Sequence, residues 1–594
     1  MRRLNGFRFA ALLLAVLLLA SCTAEPAQTG RGEPLHRWDR GVLIAEATAN
    51  EADVVRYTCL DCGQTKTEQY AALDTGTEQF FLSAYNGTDG GSSVRLTVSY
   101  RLLPKGEIQY QWYACRNDEG EEASPIPGAC GLSLDTGVLP SPEIRYYFCE
   151  ISYSTELAGQ SVSRSLRSQV FHVAYTGLPS LWINTKNGAA VTSRETDLDA
   201  VISVIPGPDS GDYETFLLEN LNGMIRGRGN SSWDKPKKGY NFKLVKKQNL
   251  LGLGFDKKWA LIANYSEKTQ LRNWFSAELS KSVFPSEGWQ ADYIPVDLTL
   301  NGTYLGTYSL ATPIRISASR LDLPDIAKPL TDENGDGVTD LRDGGFVLEI
   351  DSRQDASHGF VTERGVPIVL KDPDLDQGPK AGSAYTEEEI FRWIQTCVQD
   401  LEDTIYADGF ADPETGYRSR IDVDSFVQWY LVNELMKSVD ATFFSSVFLY
   451  FDPADGLFHM GPNWDFDISS GNCSYNDCEF PEGFYVLHSP WISRLFEDPW
   501  FVEQVWTEWT DHRDALTDAV NSSIQRKADE IALSAGFNFE KWKNLGIKNW
   551  PNPDSAWERK TYQSEIDYMV DWLNARAAWL DTALADLRTA AEAP

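Results

Sequence analysis

The sequence predicts a multidomain protein in which an all-β sandwich precedes an α+β body. Three observations predict it. Between residues 40 and 178 apolar residues alternate with a period of two, as in Phe80 to Ala84 and Val94 to Tyr100, and Gly, Asn, Asp and Pro turns separate the runs. From Leu181 onward strands mix with helices such as Thr269 to Lys281, which carries Leu271, Trp274, Phe275 and Leu279 on one face. The 594 residues are 42% hydrophobic and 12% aromatic, ample material for several packed cores.

The start of the chain reads as a targeting segment. Arg2, Arg3 and Arg8 precede an apolar run, Ala10 to Ala20, that is too short for a comfortable membrane span. Leu19-Ala20-Ser21-Cys22 resembles a bacterial lipobox, which implies acylation of Cys22 and an extracytoplasmic protein lipid-anchored to the bacterial cell membrane. The expected organisation is a lipoprotein signal peptide over 1–21, a polar tether over 22–39, the sandwich over 40–178 and the body over 179–590. A formal net charge of -33 argues against nucleic acid as a partner.

Eight cysteines remain besides Cys22, and an even number in an exported chain favours disulfides over metal sites. Cys473 and Cys478 are spaced to close a small loop. Cys59-Leu60-Asp61-Cys62 has the spacing of a redox or zinc half-site, but no second such pair and no neighbouring His accompanies it in the sequence. Within the β region, Trp112 in a strand and Tyr147 two positions before Cys149 resemble the core Trp and tyrosine corner of an immunoglobulin-like sandwich. The inter-sheet cysteine expected near Val98 is missing.

In the body, Gly227-Arg228-Gly229-Asn230-Ser231-Ser232 is a turn whose small residues let backbone N–H groups approach phosphate oxygens, with Arg226 and Arg228 adding positive charge. Lys238 precedes the alternating run Tyr240 to Leu244, in which Asn241 and Lys243 share one face. Tyr293 to Leu300 and Thr303 to Leu310 form a hairpin about Asn301-Gly302. Asp332, Asn334, Asp336, Asp340 and Asp343 resemble the acidic loop of a structural calcium site, although the last ligand is normally a bidentate Glu. Helices are expected over Thr386 to Asp403, Val423 to Lys437 and Ser564 to Leu587.

The segment from Asn433 to Gly471 concentrates the chemistry. Asp440 follows a helix, Val447 to Phe451 and Leu457 to Met460 form a hairpin, and Asp465 and Asp467 flank Phe466. Clustered carboxylates repel one another, so such a site usually holds a cation. NEL at Asn433, SVFLY ending at Tyr450, GPNWDFD from Gly461 and RGRGNSSWDKPKKGYNFKL from Arg226 resemble the CotH kinase family, as do LNGTYLGTY and FVLEID upstream of the core.

That resemblance covers about 185 to 585 and implies an atypical protein-kinase-like domain that uses ATP with Mg or Mn on a protein substrate at the cell surface. It implies Asp440 as the catalytic base-like residue, Asp465 as the main metal ligand and Asp467 as co-ligand. Lys238 or Lys243 would hold phosphates, and Glu278 is the available helical partner for that lysine. The sequence departs from ordinary kinases where an Asn should follow the catalytic Asp: Thr442, Ser445 and Ser446 stand there. A kinase-like adhesin or scaffold is the alternative reading. Glycoside hydrolysis by paired carboxylates leaves the basic glycine-rich segment without a role.

Overall fold

The computed structural model describes residues 36–45, 52–70, 79–82, 94–98, 107–137, 143–207, 213–285, 288–329, 337–354, 357–376 and 378–592. The lipobox with Cys22, and Asp332, Asn334 and Asp336 of the calcium-like loop, lie outside the described residues. The chain forms two compact units, Met1–Ala72 with Glu156–Ser161, and Leu73–Thr155 with Val162–Pro594.

In the first unit β1 (Val42–Ala45), β2 (Asp53–Thr58) and β3 (Thr65–Tyr70) make an antiparallel meander. These strands fall within the region expected to be one sandwich, yet they belong to a unit of their own.

The second unit opens with two small sheets. One is β4 (Gln79–Leu82), β5 (Val94–Thr97) and β8 (Ser133–Asp135). The other contains β6 (Glu107–Cys115), β7 (Ser124–Pro125), β9 (Glu143–Leu157), β10 (Gln160–Arg167) and β11 (Phe171–Tyr175). Leu96, Val98 and Leu134 of the first pack with Trp112, Cys149, Ile151 and Val173 of the second, so the two share a core. Trp112 is fully buried, and its indole N–H donates to the Gly131 carbonyl at 3.0 Å. Tyr147 is buried as well, with its hydroxyl against the Arg145 guanidinium.

A closed seven-stranded barrel follows, a feature the sequence did not disclose. Its strands are β12 (Ser180–Thr185), β13 (Leu198–Ile205), β14 (Leu218–Arg228), β15 (Gly239–Asn249), β16 (Phe255–Ile262), β17 (Tyr293–Leu300) and β18 (Thr303–Ala311), in the order β12-β13-β14-β15-β16-β18-β17. Every pairing is antiparallel except β12 with β17, which closes the cylinder. Ile225, Tyr240, Phe242, Leu244 and Leu261 fill its interior, so the alternation at Tyr240 to Leu244 is the in-and-out alternation of a barrel wall. The β17–β18 turn has φ of 48° at Asn301 and 77° at Gly302, both positive as a type I′ turn requires.

Beyond the barrel, β19 (Phe346–Ile350), β20 (Gly359–Val361), β21 (Pro367–Asp372), β22 (Val447–Asp452) and β23 (Leu457–Met460) form a sheet of order β20-β21-β19-β22-β23. The expected helix over Thr269 to Lys281 is α1 (Arg272–Glu278) running into a π-turn at Leu279–Val283. Helix α2 (Glu387–Tyr406) opens on a capping box between Thr386 and Glu389. Helix α3 (Val423–Met436) is buried on almost every face, and α4 (Tyr562–Ala591) starts at the cap Thr561. Leu348 and Ile368 of the sheet pack with Ile394, Leu431 and Leu573 of these helices in one large core, which also holds Trp491 and Trp509. Among the described residues no helix is long and apolar enough to cross a membrane.

Candidate active site

Barrel and sheet meet at a cleft of about 410 Å³. The β14–β15 turn supplies Arg226, Arg228 and Gly229, and the segments flanking β22 and β23 supply Asp440, Asp465 and Asp467. Five of the predicted site residues therefore converge on one cavity.

Barrel geometry sets the basic wall. Ile225 points into the barrel core, so Arg226 and Arg228 project outward. Two glycines allow the turn to close. A Cβ on Gly227 would lie 2.2 Å from the Trp233 ring, and Gly229 has a φ of +98°. Arg194, which the sequence gave no reason to select, donates to the Gly229 carbonyl at 2.7 Å and to Asn230 Oδ1 at 3.1 Å.

The lysines chosen from sequence sit elsewhere. Lys243 does share a barrel face with Asn241, and Asn241 lines the cleft across from Arg226. Lys243, however, lies further along β15, exposed and opposite Lys258. Lys238 donates to the Trp233 carbonyl and lies 5.2 Å over that ring, bracing the turn from behind. Glu278 lines a different cavity with Lys281, Asp292 and Lys527.

A different lysine–glutamate pair faces the cleft. Lys371 Nζ on β21 lies 2.7 Å from Glu349 Oε2 on β19, and the other Glu349 oxygen accepts the Ser446 N–H at 3.1 Å. Burial raises the Glu349 pKa and the Lys371 charge opposes it. The sequence signal was a lysine ending the apolar strand Pro367 to Leu370, beside the acidic end of Phe346 to Ile350.

The acidic wall is placed by turns. Helix α3 ends at Lys437, whose φ is 47° and whose Nζ donates to the carbonyls of Asp477, Phe480 and Glu482. The chain then enters the single turn Val439–Ala441 that carries Asp440. Ser445 Oγ lies 3.4 Å from Asp440 Oδ2 and accepts from Arg353 at 3.0 Å, while Arg353 also reaches to 3.6 Å from Asp351. Asp465 has a φ of 68°, Ser446 of 59° and Phe443 of 61°, so three non-glycine residues beside the acidic groups hold left-handed backbone. Ser446 Oγ is 3.5 Å from Asp465 Oδ2. Phe466 anchors the Asp-Phe-Asp segment: its ring is buried and its N–H donates to Asn273 Oδ1 at 2.7 Å.

These carboxylates are under electrostatic load. Burial and the Asp465 charge push the Asp440 pKa up to about 6, with Arg353 opposing. Burial, Asp465, Asp440 and Glu267 hold Asp467 well above the ordinary carboxylate range, with Arg228 opposing. Nearby positive charge thus fails to neutralise the acidic wall, the condition in which a bound cation stabilises a site. The calcium-like loop differs. Asp340 accepts from the Arg342 N–H at 2.9 Å and meets its guanidinium at 2.7 Å, which lowers its pKa to about 2, and neighbouring Asp343 is exposed.

No curated protein matches the chain. Residues 225–580 match the family model described as CotH kinase protein, and this span takes in the glycine-rich turn, the Lys371–Glu349 pair and all three cleft aspartates. With more than half of its length covered by that match, the chain belongs to the CotH kinase family.

Proposed function

We propose that the protein is a surface-anchored atypical protein kinase that transfers the γ-phosphate of ATP to Ser or Thr hydroxyls of extracytoplasmic or surface proteins. The observation that carries this reading is the meeting, in one cleft, of an arginine-bearing glycine turn with three clustered aspartates. A donor set of clustered, half-buried carboxylates fits Mg²⁺ or Mn²⁺, and Asp465 and Asp467 are the residues that would hold it. When bound, the ion neutralises phosphate charge.

The protein's own residues do the rest. Arg226, Arg228 and the N–H groups of the turn bind phosphate oxygens, and the Lys371–Glu349 pair takes the place of the lysine–glutamate pair of ordinary kinases. Asp440 orients the acceptor hydroxyl and receives its proton at a carboxylate oxygen. Its raised pKa brings proton affinity closer to neutral pH than an ordinary aspartate has. Ser445 and Ser446, standing where an Asn was expected, contact Asp440 and Asp465 instead. Acylation of Cys22 would hold the catalytic body at the membrane surface, and the immunoglobulin-like reading of Trp112 and Tyr147 makes the sandwich a spacer.

The test is thermal stability of the purified full chain with ATP and Mg²⁺ or Mn²⁺, in wild type and in Asp465→Ala, alongside transfer of labelled γ-phosphate to a Ser/Thr-containing acceptor. A metal-dependent rise that the variant loses is the expected result. Absence of a response to any nucleotide by the wild type would sink the kinase reading.

A further inference from the structure

The Cys59-Leu60-Asp61-Cys62 segment acquires a partner that its sequence neighbourhood does not show. Trp38 and Cys59 form an antiparallel bridge, flanked by Asp39 N–H to the Thr58 carbonyl at 2.9 Å and Leu60 N–H to the Arg37 carbonyl at 2.7 Å. This pairing lays His36 beside the Cys59–Cys62 turn. His36 Nδ1 is 3.4 Å from Cys59 Sγ and 3.3 Å from Cys62 Sγ. Among the described residues, these three are the one group of His, Cys and carboxylate side chains gathered within 4.8 Å as metal donors.

The turn is built to hold its sulfurs. Cys59 N–H donates to the Gln64 carbonyl at 2.7 Å and Gly63 N–H returns to the Cys59 carbonyl at 2.9 Å, with Gly63 at a φ of +74°. Backbone N–H groups of Asp61 and Cys62 point at Cys59 Sγ, and with His36 they lower its thiol pKa to about 7 despite burial. Arg37 clamps Asp61 at 3.1 and 2.8 Å and so fixes the turn against the segment that carries His36.

One imidazole nitrogen can share a proton with one thiol, but here it faces two. Tetrahedral zinc, with Zn–S of about 2.3 Å and Zn–N of about 2.0 Å, requires N···S edges of about 3.5 Å. The observed edges are close to that value.

We propose that His36 Nδ1, Cys59 Sγ and Cys62 Sγ bind a zinc ion, a soft-donor site with a fourth position open to water or an exogenous ligand. Binding holds both sulfurs as thiolates and releases whatever thiol protons they still carry to solvent. The unit gains from such a staple. Val55, Cys59 and Leu157 are its buried apolar residues among those described, too few for a core of ordinary size.

The experiment uses the full chain, reduced under anaerobic conditions and titrated with Co²⁺ and then Zn²⁺. Expected is one equivalent of Co²⁺ giving a thiolate-to-cobalt charge-transfer band that Zn²⁺ abolishes. Cys62→Ser, at an exposed position, should lose the band, and His36→Ala should weaken binding by at least the roughly 10–100-fold that even an outer-shell change costs. Asp465→Ala and Cys473→Ser should keep the band, which separates this site from the kinase cleft and from the Cys473–Cys478 thiols. A Cys59–Cys62 disulfide in the chain isolated after export, or a reduced chain without the band, would overturn the proposal.

Discussion

Glu434 and Asp440 are near neighbours in sequence, one in the last turn of α3 and the other just past it, yet their electrostatic circumstances are opposite. Glu434 is buried against Arg576 at 2.6 Å, and its two oxygens also accept the N–H groups of Tyr485 and Leu487 at 2.8 Å. Arg576 spends its remaining donors on the carbonyls of Glu434, Pro481 and Gly483. Asp440 has Ser445 at 3.4 Å and a neighbouring negative charge at Asp465. A fully paired buried charge holds the fold together, whereas a carboxylate facing a cleft beside another carboxylate favours a cation.

Breaking the satisfied pair should have the largest effect. Glu434→Ala leaves Arg576 charged and buried, and a loss of about 3–5 kcal/mol is expected, read as a lower urea midpoint of the full chain. Asp440→Ala, by contrast, should not lower the midpoint at neutral pH. Next comes Lys371→Ala, expected to reduce phosphoryl transfer by about 10–100-fold, or about 1.4–2.8 kcal/mol of barrier, with circular dichroism unchanged. If Lys243→Ala instead produced that loss, the assignment of Lys371 would be wrong.

Asp440→Asn sharpens the comparison through pH. Folding raises the Asp440 pKa to about 6, so the folded chain holds this proton more tightly than the unfolded chain does. Its contribution to stability is complete below the unfolded value and disappears as pH rises through about 6. At pH 8 without metal, Asp440→Asn should therefore be more stable than wild type by about 1–2 kcal/mol after allowance for solvent screening. At pH 4 most of that advantage should vanish, and saturating Mg²⁺ should narrow it at pH 8. Lys243→Ala closes the series, with a stability change within about 0.5 kcal/mol and unchanged transfer.

Local chemistry made part of this molecule readable in advance. Asn301-Gly302 could hardly be other than a tight hairpin, and Thr386 with Glu389 marks a helix start at the residue where it occurs. The helix, turn and hairpin order around Asp440, Asp465 and Asp467 was set by the same short-range signals. What remained hidden depends on distance. Barrel closure rests on β12 pairing with β17, strands far apart in the chain. Lys243 and Asn241 share a face, and only the position of the sheet beyond the barrel decides that Asn241 reaches the cleft while Lys243 does not. Glu349 lies within the FVLEID segment, but its partner Lys371 emerges only from the register of β19 with β21. His36 stands 23 residues before Cys59 and meets it through a single bridge, so adjacency in sequence could not suggest it.

The closed barrel limits how the proposed acceptor could be recognised. A cylinder of strands offers no free edge, so no extended segment can join it as an additional strand. This denies the barrel one common mode of peptide capture and also one common route to aggregation. On the proposed kinase reading, a polypeptide meeting the barrel wall of the cleft would be gripped there by side chains and loops, such as Arg194 and Lys235, rather than by main-chain pairing.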